Sequence, residues 1–119
     1  MKNNLVAEKS IEFSIRLIKL YKILLEERKE YILSKQMLRS GTAVGALIRE
    51  AEHAQSKADF LNKMNIALKE ANENEYWLLL FNKGDFITDK EYESIRNDAV
   101  EMIKLLAKIV KTTKETLGK

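Results

Sequence analysis

Cysteine and proline are both absent from this chain of 119 residues. Without cysteine there is no disulfide, no thiolate nucleophile and no sulfur-rich metal site, which suits a reducing compartment. At an average usage of about 5%, a chain of this length would hold roughly six prolines. Proline breaks helix interiors, so its absence permits long uninterrupted helices. Histidine occurs once, at His53. A single chain therefore cannot supply the paired Glu-x-x-His motifs of a di-iron bundle. No apolar run approaches the ~20 residues of a membrane span. The first ten residues carry Lys2, Glu8 and Lys9 instead of the apolar core of a signal peptide. The expected location is the cytoplasm. No glycine-rich phosphate loop is present.

What remains is a mixture that folds. Hydrophobic residues make up 45% of the chain and charged residues 33%, which argues against disorder. The net charge of +3 is mild but unevenly spread. Residues 1–69 hold 13 basic and 8 acidic side chains, residues 70–101 hold 3 and 9, and residues 102–119 hold five lysines against Glu115. Solvated helix faces produce such runs, and so does a polar assembly with a basic end that attracts nucleic acid.

Periodicity predicts four helices, over residues 5–27, 31–54, 57–82 and 89–117, in one domain spanning 1–119. Helix one carries two apolar stripes, Ile11, Ile15, Ile18 and Leu25 on one and Phe13, Leu17, Leu20 and Leu24 on the other. Ile11 and Phe13 differ by about 200° around a helix of 3.6 residues per turn. A bundle needs one stripe per helix, so the surplus predicts a second buried contact. The run Glu26–Glu30 makes the first turn. Helix two places Leu33, Met37, Val44, Ile48 and Ala51 inward. Gly41 and Gly45 each cost it about 1 kcal/mol relative to alanine, which close approach of a neighbouring helix would explain. Ser56 with Asp59 resembles a cap for helix three, whose inward face is Phe60, Met64, Ala67, Ala71, Leu78 and Phe81. Gly84 is the expected left-handed residue ending that helix. Thr88-Asp89-Lys90-Glu91 is a full capping box, and Tyr92, Ile95, Ala99, Met102, Leu106, Ile109 and Val110 follow as a stripe. The fold class is all-α, an antiparallel up-down-up-down four-helix bundle.

Gln36, Arg39, Ser40, Gly45, Glu50, Phe60, Ala67, Glu73 and Trp77 occur in an order that resembles the four-helix-bundle family named for proteins encoded in intervening sequences of bacterial 23S rRNA genes. The likeness is close across helices two and three, and extends to helices one and four by length and pattern. Where family members often carry serine and asparagine in helix two, this chain has Ala43 and Leu47. Where many carry serine in helix three, it has Glu70. The resemblance implies a homo-oligomeric ring, typically a homopentamer, and no established enzyme activity or cofactor. A related branch, the accessory proteins of diversity-generating retroelements, binds nucleic acid and a reverse transcriptase. By that analogy the partners of this chain would be further copies of itself, and nucleic acid or a nucleic-acid-processing protein.

Geometry gives two of these residues a role of their own. If helices two and three fold back around Ser56, Arg39 and Glu73 lie at one height, and a partly buried contact between them would fix helix register. A guanidinium suits a carboxylate partner, although desolvation offsets the attraction. Lys104, Lys108, Lys111 and Lys114 share one broad face of helix four and are the candidate nucleic-acid contacts, in a pattern that a solvated helix face also shows. Tyr76, Trp77 and Tyr92 could stack on bases, while aromatics at helical spacing more commonly pack in cores or interfaces. Glu50 and His53 have the Glu-x-x-His spacing of a metal or nuclease-like site. With a single histidine they are read as solvated, and no metal, cofactor or small-molecule substrate is expected. Arg49 and His53 faintly resemble the pair of helical ribonucleases, at a shorter gap. The leading expectation is a non-enzymatic, ring-forming scaffold that binds nucleic acid or a nucleic-acid-processing protein. The alternatives are a purely protein-binding regulatory bundle and, third, an enzyme centred on Glu50 and His53.

Overall fold

A computed structural model describes residues 4–118. Among them are four helices, α1 (Asn4–Glu26), α2 (Leu33–Glu52), α3 (Lys57–Lys83) and α4 (Asp89–Thr116), and no strand. Side-chain pairs give the directions. Arg39 meets Glu73 while Lys63 approaches Glu50, so α2 and α3 run antiparallel. Lys9 pairs with Glu101, Arg16 with Asp98 and Arg28 with Glu91, so α4 runs against α1. Each helix packs on its two neighbours in the cycle α1–α2–α3–α4, in a body 47 × 21 × 21 Å.

The core follows the predicted stripes. Phe13, Leu17 and Leu24 of α1 meet Met37, Val44 and Ile48 of α2, Met64, Ala71, Leu78 and Phe81 of α3, and Ile95, Met102 and Leu106 of α4. The second stripe of helix one is not covered by the chain's own helices. Ile11, Ile15 and Ile18 stand in solvent, because α2 and α4 both pack on the Phe13–Leu17 side.

Gly41 and Gly45 mark the close approach that their cost implied. A Cβ on Gly41 would lie 1.9 Å from Leu17 Cδ1 and 2.8 Å from Asn74 Nδ2, so α1, α2 and α3 converge on one level. At Gly45 the nearest atom would be Ser10 Oγ, at 3.3 Å.

Six of the eight helix boundaries differ from the sequence reading, by one or two residues, and only the starts at Lys57 and Asp89 agree. The first turn extends to Ile32, and α2 starts at Leu33 instead of Tyr31. The cause is Glu30, whose buried carboxylate accepts from the backbone N–H groups of Ile32 (3.2 Å), Leu33 (3.1 Å) and Ser34 (2.6 Å). Burial pushes that carboxyl up, and the N–H donors of Ser34, Leu33 and Ile32 outweigh it and hold it below its ordinary value. At its other end α2 stops at Glu52, leaving His53 as the cap beyond the helix. After α3, Gly84 has φ −87° and is not the left-handed residue; Asp85 is, at φ 66°. The helix runs one residue further than expected, to Lys83, so the left-handed position falls on an aspartate, a residue type enriched there. Phe86 N–H then closes onto Phe81 O at 2.8 Å.

The caps of α3 and α4 form as read. Ser56 accepts from the Asp59 N–H, and the Thr88–Glu91 capping box is complete. Glu91 also ties the two turns at that end of the bundle together. Arg28 donates to both of its oxygens (2.9 and 2.8 Å) and to Phe86 O (2.7 Å). The Arg28 hydrogen bond, and then the Thr88 N–H, lower the Glu91 carboxyl from 4.5 to about 2. A lowered carboxyl adds stability at pH values above its unfolded titration and loses it as pH falls towards the folded value. Glu91 is two-fifths exposed, so its screened contribution is about 1 kcal/mol. Glu91→Gln is therefore expected to lower the urea midpoint at pH 7. That gap to the parent should narrow between pH 4.5 and pH 2, read by urea titrations of both proteins at each pH.

Candidate functional site

The residues that carry the family resemblance gather mainly on the α2–α3 seam. Arg39 Nη2 donates to Glu73, its Nη1 reaches Glu70 at 3.3 Å, and its Nε donates to Gln36 Oε1 at 3.2 Å. Trp77 Nε1 donates to Glu73 Oε2 at 3.0 Å. The Trp77 indole N–H, and then the Arg39 guanidinium working against burial, hold the Glu73 carboxyl below its ordinary value. The Arg39–Glu73 contact forms, but Arg39 is half exposed instead of partly buried, because it spans the outside of the seam. Glu70, a departure from the common family pattern, supplies a second acceptor there.

Beneath this surface network lies a buried one that sequence reasoning missed. Asn74 is fully buried and donates to Met37 O at 2.7 Å and to Ser40 Oγ at 3.3 Å. Its Oδ1 has no hydrogen-bond partner among the described residues. The signal was available, since Asn74 lies seven residues after Ala67, three after Ala71 and four before Leu78, on the inward stripe. A buried amide of this kind fixes the register of the helices it joins. Three of the remaining quoted residues are placed by packing. Ala67 is in the core, Phe60 is half-buried and Gly45 lies against Ser10 of α1.

The α4 lysines form a surface. Lys104, Lys108, Lys111 and Lys114 are all exposed, and none has an ion-pair partner among the described residues. At 100° per residue the first three share the outermost line of the helix, with Lys114 turned towards α3. Glu101 and Glu115 bracket the patch on the same line.

Glu50 and His53 are exposed at the end of α2, where Glu50 lies 4.0 Å from Lys63 Nζ. No cluster of three His, Cys, Asp or Glu side chains with metal-binding geometry occurs among the described residues. No helix of the described residues is long and apolar enough to cross a membrane. Of the proposed stacking aromatics, Tyr76 is exposed with its ring 5.3 Å from that of Trp77. Tyr92 is half-buried and donates to Glu75 at 2.9 Å.

Two of the surface grooves flank α1 and differ in character. One, between α1 and α4, holds about 460 Å³ over Leu20, Ile23, Ile87 and Ile95, with Arg16, Lys19 and Lys90 at its rim. The other, between α1 and α2, holds about 360 Å³ over Ser10, Ser14 and Gly45, and the exposed Ile11 and Ile15 form its wall.

These features define an all-helical, antiparallel four-helix protein whose distinctive polar residues hold helices together and whose open surfaces are an apolar stripe and a lysine patch. The chain belongs to the 23S rRNA-intervening sequence protein family, whose sequence profile matches residues 2–108. It is similar to a crystal structure from Bacteroides thetaiotaomicron VPI-5482, described as a protein with unknown function from the S23 ribosomal protein family. The two share 60% identity and a TM-score of 0.91 over 93% of this chain and 99% of that one. A search of curated proteins finds no match.

Proposed function

We propose that this chain is one subunit of a homo-oligomeric ring, a scaffold without catalysis of its own that offers nucleic acid a lysine patch from every copy. The observation that carries the assembly is the outer face of α1, where Ile11, Ile15 and Ile18 are 56%, 47% and 41% exposed. Scattered apolar side chains on a surface are ordinary, but a row of them on one helix marks an interaction site. A helix that already buries Phe13, Leu17 and Leu24 on its other side gains nothing from this row within the monomer. Five copies is the number that the family resemblance implies. The lysine patch supports the nucleic-acid part, because weak phosphate contacts repeated around a ring add up.

Sedimentation velocity at micromolar concentration is the direct test. A single species several times heavier than the 13.8 kDa chain is expected. A monomer across the concentration range would remove the ring and leave the α1 face to a foreign protein.

A further inference from the structure

We infer that copies of this chain join head to tail through α1 of one subunit and α3 of the next, with Ile15 in the centre of the seam and Glu12 facing Lys69 of the neighbouring copy. This rests on the ring reading and names its interface. A closed ring needs two different faces on each subunit, since a face that pairs with itself stops at a dimer. The outer line of α1 is one. α3 carries the other, where Ile66 and Tyr76 are 36% and 51% exposed, with Trp77 and Leu80 half-buried beside them. The helices α1 and α3 sit diagonally across the bundle, for each packs on α2 and α4 and not on the other. The two faces therefore lie on opposite sides of the bundle, so each subunit can hold one neighbour on each, and a rotation between successive subunits closes the ring.

The register of the faces agrees. Leu17, Gly41 and Asn74 share one level, as the crowding around Gly41 shows. α1 and α3 run in the same direction, so counting from that level puts Glu12 level with Lys69 and Ile15 level with Asn72. The same count puts Ile18 one residue below Tyr76, and Ile11 two residues above Ile66. At about 1.5 Å per residue these offsets are 3 Å or less. Subunits related by an axis along the bundle keep their heights. Ile18 then meets Tyr76 and Ile11 meets Ile66 at the two ends of the seam, with Ile15 opposite Asn72 between them and Glu12 beside Lys69 of the neighbour. Neither of these two has an ion pair within the chain among the described residues, and both are exposed. The groove over Ser10, Ser14 and Gly45 lies next to Ile11 and Ile15, and its 360 Å³ gives an incoming α3 side chain such as Ile66 somewhere to seat.

The test is sedimentation of the full chain, with circular dichroism to confirm that each variant keeps its helices. Ile15→Glu, on the surface of the monomer, is expected to give a folded monomer. Glu12→Lys and Lys69→Glu are each expected to weaken assembly about 5-fold per seam, since each places like charges across it. The double variant restores the pair in reverse and should return to within about 2-fold of the parent. If the parent assembles and Ile15→Glu stays assembled, the seam is wrong while the ring stands. A double variant no tighter than the two single effects combined overturns the Glu12–Lys69 pairing. A monomeric parent overturns the ring and this seam with it.

Discussion

Gly41→Ala is expected to destabilise the fold by about 2–3 kcal/mol and to lower the melting temperature by about 10 °C for a domain of this size. The added Cβ would meet Leu17 Cδ1 at 1.9 Å and the Asn74 amide at 2.8 Å. Overpacking a filled core costs about 1–3 kcal/mol. Here the displaced group is also a hydrogen-bond donor. Moving the fully buried Asn74 amide breaks its bond to Met37 O, which adds about 1–3 kcal/mol. Asn74 has little freedom to adjust, because its side chain is fully buried. Better helix propensity returns about 1 kcal/mol, and rotation of the Leu17 methyl relieves part of the clash.

Gly45→Ala makes the comparison decisive. It has the same propensity gain, but its Cβ would meet only Ser10 Oγ at 3.3 Å, so its effect should stay within about 1 kcal/mol of zero. Thermal and urea unfolding of both variants at one protein concentration would check this, since assembly makes melting concentration-dependent. Equal effects at the two glycines would mean that α1, α2 and α3 do not converge at residue 41.

The contrast shows what the sequence could and could not reveal. Periodicity located every helix and most inward positions, because burial on one side of a helix leaves a spacing that survives in the letters. Two glycines within one helix signalled a close neighbour, yet nothing local distinguishes Gly41 from Gly45. That difference lies in Leu17 and Asn74, which reach residue 41 from two other helices. The start of α2 was misplaced because Glu30 sits in a run of charges that reads as a solvated turn. Its three N–H partners become apparent only once the turn is folded. Asp85 was missed for a related reason. Glycine is the usual left-handed residue, but the helix length decides which residue reaches that position. The outer stripe of helix one was legible as surplus, and the structure adds that the chain's own helices leave it open.

That open stripe bears on the lysine patch. A ring joined through α1 and α3 leaves α2 and α4 uncovered, one towards the lumen and one towards the outside. In the proposed ring Lys104, Lys108 and Lys111 would therefore remain accessible and recur once per subunit. The whole chain carries only +3, so the proposed binding rests on this local patch. Replacing all three with glutamate is expected to reduce affinity for single-stranded RNA more than about 100-fold at low salt. If each lysine meets one phosphate, the slope of log affinity against log salt should also flatten by about 2 per engaged subunit. The ring should survive, because the patch lies off the α1–α3 seam. Reversal of Lys35, exposed on α2, is set against reversal of Lys108 alone on α4, so that the net charge changes equally in the two. Filter binding across a salt series, beside sedimentation of the same proteins, separates the outcomes. If the α2 reversal weakens binding as strongly as the α4 reversal, the contact is diffuse and the patch has no special role. If the parent assembles but binds no RNA or DNA even at low salt, the ring is a scaffold for protein, and the bracketing of the lysines by Glu101 and Glu115 reads as an ordinary solvated face.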